Sequence, residues 1–420
     1  MECPTTPCPK WGTSLPVLRG YPTWCHECGW NITPPPSEQS RTRVERLSAA
    51  AGRRMGRRLA AEVASVERLE PRLTTDKLLA FGIAAGVHVL TALIFVAGVL
   101  AIAFFPTNAV AIVVGAFLIA VAMVIRPRLS KPPEEDLVTR AEAQALWGLV
   151  DEVAASLSTP PPQLLVVDHQ FNAYWGVVGI RRRRVLGLGL PLLSSLEPQE
   201  RVGLVAHELA HARNGDASRG IFVGSAVDGL AHLYYLLAPE LDNQGIGIAE
   251  HVANGILWLL SRPAYWLLHL EYYLLLHDTQ RAEYLADALA ARVAGTEAVV
   301  LIHEKLLLEP SFRAVVKEHA HPATATNADL FEATRLRFGS VPDRERERRR
   351  RVAMLEESRL ADTHPPTGMR IALLEQRPRM APEVTLDRER SDQIDADLRR
   401  LRSPLGERLV ELHKASLYGR

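Results

Sequence analysis

The sequence is short of net charge. It carries 49 Lys and Arg against 48 Asp and Glu, a balance of +1. A protein built to coat DNA or RNA has a basic surplus, so no nucleic-acid partner is expected. Cysteine is scarce too: four in 420 residues are too few for a disulfide-stapled secreted scaffold. There is no internal repeat. The first long apolar run begins far from Met1 and no cleavage site follows it, which excludes a signal peptide. What the chain does have is apolar residues, 47% against 23% charged, enough to bury a sizeable core and too many for disorder. Its length leaves room for two or three domains.

The apolar residues are unevenly spread. Leu78–Phe105 has no formal charge and one histidine, His88. At 1.5 Å per residue it is long enough to cross a ~30 Å hydrocarbon core with tilt. Pro106-Thr107-Asn108 reads as a turn. Ala109–Ile125 is again charge-free, at the short end of a spanning helix. The two predict a transmembrane hairpin over 78–125; a pair of buried core helices is the competing reading. Arg53, Arg54, Arg57, Arg58, Arg68, Arg72 and Lys77 precede the hairpin, and Arg126, Arg128 and Lys131 follow it. The turn carries no basic residue, so both flanks are expected in the cytoplasm of a multi-pass plasma-membrane protein.

Residues 31–77 read as a Pro/Ser linker with Pro34-Pro35-Pro36, then an arginine-rich helical stretch over 41–70. That stretch suits an amphipathic helix on an anionic membrane face or a plain solvated helix. After the hairpin, Pro132-Pro133 marks an exit, and Thr139–Leu157 predicts a helix. Gln163–Asp168 predicts a strand, and Tyr174–Leu190 two more around the basic turn Arg181–Arg184. From Pro198 on the pattern is mostly helical, including a charged run, Asp343–Arg351, that reads as a solvated helix face.

The chemistry begins at Glu197–Arg213. Pro198 suits a first helical turn and Asn214-Gly215 a stop. Within lies HELAH, 207–211. His207 and His211 are four apart, so their imidazoles share one helix face and can chelate one zinc. Glu208, rotated by about a hundred degrees, can serve a water at the metal without being a ligand, as a general base requires. Catalytic zinc needs a third protein ligand and an open position. Downstream, QRAEYLADALAA (280–291) puts Glu283 and Asp287 on one helical face among alanines that allow close approach. Glu283 is the natural third ligand, and Asp287 is placed to orient a ligating histidine.

These residues resemble a known family, the membrane gluzincin endopeptidases that include HtpX and the CAAX prenyl protease. HELAHARNGD (207–216), RAEYLAD (281–287), FNAY (171–174) and THPPTGMRI (363–371) match its motifs in order. The likeness covers roughly 140–375 plus the hairpin. It implies zinc on His207, His211 and Glu283, with Glu208 as base. It implies Asn172 holding substrate backbone, His364 donating to the oxyanion, and Arg370 paired with Asp287. It also implies that the strand around Val185–Leu190 pairs with extended substrate. Family members have two more membrane helices between the metal motifs. Here 220–239 contains Asp228 and His232, and 246–276 contains Glu250, His251, Arg262, Pro263 and Glu271. Neither is a clean span; partly buried helices at the membrane edge are expected, with two full spans the alternative.

All four cysteines lie in residues 1–30, as Cys3/Cys8 and Cys25/Cys28. The spacing suits one structural zinc in a four-cysteine ribbon, with Gly29 supplying the knuckle turn. The first pair is wider than usual, which leaves free thiols or redox chemistry open. The expected fold class is therefore a mainly α membrane protein. It comprises a ribbon (1–30), a linker and juxtamembrane helix (31–77) and the hairpin (78–125). An α+β gluzincin metallopeptidase domain (132–380) and a helical tail (381–420) follow. The expected function is zinc-dependent cleavage of membrane or misfolded polypeptides, with one catalytic and one structural Zn2+ and the lipid bilayer as partner. A catalytically idle membrane-tethered scaffold is the alternative, and prenyl-protein processing a lesser one.

Overall fold

The computed structural model describes residues 4–32, 43–65, 74–127, 130–213, 216–238, 248–321, 329–355 and 364–417. Cys3, most of the Pro/Ser linker, Arg68, Arg72, Arg128, the Asn214-Gly215 stop and Thr363 lie outside them.

The N-terminal module is a small antiparallel hairpin, β1 (Thr5–Pro7) and β2 (Ser14–Pro16). Helix α1 (Arg43–Ser65) follows, then α2 (Thr75–Phe104) and α3 (Ala109–Ile125). Next come α4 (Gln144–Ser156), β3 (Leu164–Asp168), β4 (Ala173–Val178), β5 (Arg183–Gly189) and the single turn α5 (Leu190–Leu193). The rest is helical: α6 (Pro198–Arg213), α7 (Asp216–Leu237), α8 (Ile248–Ala294), α9 (Thr296–Leu306) and α10 (Glu309–Ala320). Then come α11 (Leu330–Gly339), α12 (Asp343–Met354), α13 (Thr367–Gln376) and α14 (Arg388–Leu417).

Helix α4 starts five residues later than its apolar periodicity predicts. Thr139 is held instead in a local turn, its N–H and hydroxyl both donating to the Glu142 carboxylate. The sheet is ordered β3-β5-β4, with β3 parallel and β4 antiparallel to β5. This corrects one expectation. The strand over Val185–Gly189 is central and spends both edges on its neighbours, so it has no hydrogen bonds left for a substrate. The far side of β3 is covered by the chain at Asp136–Val138. Among the described residues, the edge left open is that of β4.

One large core joins α4, the sheet, α6, the C-terminal end of α8 and helices α9 to α11. Val384, Leu386, Ile394, Leu398 and Leu405 belong to it, so the 381–420 tail is part of the peptidase core and not an appendage. Helix α1 is not a plain solvated helix either: Leu59 and Val63 pack on Tyr284 and Leu373, and Glu62 pairs with Arg281.

The charged run also departs from expectation. Few of its arginines are left to solvent. Arg348 and Arg349 both grip the buried Glu345, and Arg350 reaches Glu304 and Glu375. Arg344 and Arg351 stack over Trp24 at 4.8 and 5.0 Å and donate to the Trp24 and His26 carbonyls. Trp24 is 2% exposed. The run is thus a cation–π dock for the N-terminal module. Periodicity could not reveal it, because the partner lies over 300 residues away.

A second cluster joins α2, α3, α7 and α8. Helix α2 is long and apolar enough to cross a membrane, and only 17% of its apolar window is buried. That is the opposite of a core helix. At 17 residues, α3 falls short of the same length test. The two helices touch where a Cβ on Gly98 would lie 2.7 Å from the Gly115 carbonyl, and the reverse. His88 bonds to α7 through Nε2, 2.9 Å from the Phe222 carbonyl and 3.4 Å from the Ser225 hydroxyl. Gly115→Leu should therefore force α2 and α3 apart and destabilise the chain by about 1–3 kcal/mol, the usual cost of overpacking. An unchanged thermal midpoint in detergent would show that this contact is not made.

Candidate metal centre

Three elements supply the candidate ligands. Helix α6 is pinned by Lys305 on Glu200 and by Arg201 on Asp395. It presents His207 and His211 one turn apart, ring centroids 5.1 Å from each other. Helix α8 lies alongside α6 and brings Glu283 between the two rings. His207 Nε2 is 3.5 Å from Glu283 Oε2, and His211 Nε2 is 3.5 Å from Glu283 Oε1. The three ligand atoms fall within 4.8 Å of one another. Bonds of ~2.1 Å in a tetrahedral zinc site place ligand atoms about 3.4 Å apart. The donor set and its spacing therefore fit zinc, with a coordination position to spare.

One turn on, Asp287 is buried and saturated with donors. Oδ1 is 3.1 Å from His207 Nδ1, 3.0 Å from His303 Nε2 and 2.7 Å from Arg370 Nη2; Oδ2 accepts from Arg370 Nε at 2.7 Å. Arg370 Nη1 also reaches Glu283 Oε2 at 3.2 Å. His364, just before α13, sets Nδ1 2.9 Å from Glu283 Oε2, with 58% of its side chain exposed. Asn172 ends the approach to β4. Its carbonyl accepts from Gly189 N–H at 2.8 Å, so backbone bonding fixes the residue at the site. A cavity of about 190 Å³ gathers Asn172, His207, Glu208, His303, His364 and Arg370.

The electrostatics follow from burial against pairing. Burial alone would raise the Glu283 and Asp287 carboxyls, but Arg370 holds both well below the carboxylate range. Burial would discharge His207, yet the hydrogen bonds it donates to the Asp287 and Glu283 carboxylates push its pKa up to about 10. His211 and His303 are lowered, chiefly by burial. Tyr284 is pushed up to about 12 by burial.

The structure thus brings His207, His211, Glu208, Glu283, Asp287, Arg370, Asn172 and His364 into one neighbourhood. Sequence reasoning missed His303. It sits on the inner face of α9 among Val299 and Ile302, where a lone histidine carries no spacing signal. In the N-terminal module, Cys8, Cys25 and Cys28 form a second cluster with ligand atoms within 4.8 Å; Cys8 Sγ and Cys28 Sγ are 3.7 Å apart.

Two imidazoles and a carboxylate about one point, beside a buried glutamate in a cavity, define a metallopeptidase-type centre. A family model described as peptidase family M48 matches residues 140–378, more than half of the chain. The chain belongs to that family, as the motif resemblance implied, and is a zinc metallopeptidase. No curated protein and no solved structure matches it.

Metal and proton compete for the His207 ring. Because its pKa of about 10 lies above neutrality, the ring is charged at pH 7. Zinc uptake should then expel about one proton per site, and affinity should fall as pH is lowered from 10 to 7. Calorimetry of zinc binding in two buffers of different ionisation heat counts that proton; a count of zero would remove His207 as a charged ligand-to-be.

Proposed function

We propose that the chain is a membrane-embedded zinc endopeptidase that cleaves extended segments of membrane or misfolded proteins. The observation that carries this reading is the convergence of His207, His211 and Glu283 beside Glu208, which lines the same cavity without joining the ligand cluster. In this reading His207, His211 and Glu283 hold the metal. Zinc supplies Lewis acidity, lowering the pKa of water to about 7 and polarising the scissile carbonyl. Glu208 takes the proton from the attacking water and returns it to the leaving amine. Asp287 orients His207 through Nδ1, and Arg370 fixes Asp287. Asn172 bonds substrate backbone at the head of β4, whose open edge accepts the chain as an added strand. His364 lies against Glu283 through Nδ1 with its ring largely exposed; in the imidazolium form its Nε2 would be the donor to the developing oxyanion.

Helices α2 and α3 are read as the membrane hairpin, with α7 and the first half of α8 beside it. Support comes from exposed apolar side chains along all of these, including Leu93, Phe117, Tyr235 and Trp266. The Lys77–Asp278 pair sets the starts of α2 and the peptidase half of α8 at one level. Sixteen residues earlier on α8, ~24 Å away at helical rise, Arg262 lies over Trp258 and Tyr265 at 4.9 and 4.8 Å, as in an interfacial aromatic belt. Basic flanks on the peptidase side support a cytoplasmic position for that side in a plasma-membrane protein. In the N-terminal module we assign Cys3, Cys8, Cys25 and Cys28 to a structural zinc.

Glu208→Gln should bind zinc normally while cutting an unfolded polypeptide at least ~1000-fold more slowly, since the base is lost. Equal cleavage by variant and wild type would overturn the endopeptidase reading and favour an idle scaffold. Metal analysis of the intact chain should find two zinc ions, falling to one in Cys25→Ser. One ion in the intact chain would remove the ribbon zinc and leave the catalytic one.

A further inference from the structure

A cavity larger than the one at the metal centre lies at the other end of β4. About 700 Å³ opens between the end of α3 and the β4–β5 turn. Its cationic lining is Arg126, Lys131, Arg181 and Arg183, and its apolar lining includes Pro132 and Ile180. Among the described residues, no acidic one lines it. Among the described residues, none of these four cations is ion-paired. Of the acidic residues that follow Lys131 in sequence, Glu135 and Asp136 bind Arg408 at 2.7 and 2.9 Å, and Glu134 is exposed and not part of the lining. Four uncompensated cations around one cavity repel one another, a cost that an anion in the cavity removes.

The geometry of the turn is built for this place. Gly179 and Arg182 both have positive φ, 69° and 51°. Gly179 N–H donates to the Ser130 carbonyl at 2.8 Å, which ties the turn to the hairpin exit. A Cβ on Gly179 would meet the Pro132 ring at 3.2 Å. Ile180, the second residue of the turn, is 89% exposed and is followed by four arginines. A bare isoleucine among cations is ill-suited to water and well suited to the headgroup layer. The cavity is also continuous with Arg126, the first residue after the apolar α3.

We propose that this cavity binds the phosphate headgroup of an anionic phospholipid, with Ile180 inserted beside it as a wedge. The proposal rests on the reading of α2 and α3 as a membrane hairpin and on nothing in the zinc chemistry. Its consequence is positional. It clamps the distal end of β4 to the bilayer while the proximal end stays at the metal centre.

The test uses the full chain in neutral detergent, with phosphatidylglycerol and phosphatidylcholine offered at equal concentration and retained lipid read by native mass spectrometry. Phosphatidylglycerol should be held at least about tenfold over phosphatidylcholine. Arg181→Gln with Arg183→Gln should weaken its retention about 25-fold, roughly fivefold per charge. The corresponding lysine variants should keep it. If the double variant does not fold, as judged by its thermal midpoint, Lys131→Gln alone should still show the fivefold loss. Equal retention of the two lipids, or unchanged retention in folded glutamine variants, overturns the proposal. So does displacement of the lipid by millimolar inorganic phosphate, which would make the cavity a free-anion site. Carbonate extraction separates the premises. A chain stripped from membranes by carbonate loses the hairpin reading, whereas an embedded chain without lipid preference loses only the headgroup site.

Discussion

Arg370 and Asp287 meet through two parallel hydrogen bonds of 2.7 Å, both side chains buried, and the metal centre is assembled around that pair. Taking two charges out of water costs several kcal/mol for each, so such a pair is sustained only when the remaining donors and acceptors are met. Here they are met by functional groups. His207 and His303 take up the rest of Asp287, and Glu283 takes another Arg370 nitrogen. The pair therefore cannot shift without disturbing a candidate ligand. It also joins α13 to α8 across 83 residues of sequence, which places His364, three residues ahead of α13, against Glu283.

Helix α8 carries this constraint to the cluster it forms with α2, α3 and α7. Its 47 residues run unbroken through Pro263, from the exposed apolar Val252 and Trp258 to Glu283 and Asp287. A helix of that length spans ~70 Å, so one rigid element reaches from the cluster with α2 and α7 to the core around α6. The sequence reading kept 246–276 apart from the ligand-bearing 280–291, because Arg262, Pro263 and Glu271 look like interruptions in a window of sequence; the structure runs the two together in α8. In three dimensions Arg262 is absorbed by aromatic rings on its own helix and on α7. The proline leaves the helix continuous.

What was legible in the sequence was local. The four-residue spacings of His207/His211 and Glu283/Asp287 are properties of single helices, so they could be read directly. The pairing of the strands with each other could not, because β5 takes the central position only once β3 closes on it. His303 and the Trp24 dock for Arg344 and Arg351 share that difficulty. Each is an ordinary residue until a partner from a distant element arrives. The apolar windows 78–105 and 109–125 were legible because they lack charge over a whole helix, a signal that needs no partner. Their exposure in the folded chain gives that signal its physical sense.

The open edge of β4 connects the two proposed sites. The strand has six residues, Ala173–Val178, ~20 Å at 3.3 Å per residue. Asn172 precedes it at the cavity with Glu208, and Gly179 follows it at the basic cavity by α3. A chain added along this edge must be extended for that distance, since strand pairing spends its backbone groups on β4. A folded domain cannot be extended in this way, and neither can a helix still in the bilayer. In the endopeptidase reading proposed above, that geometry would select for unstructured polypeptide before any side chain is read.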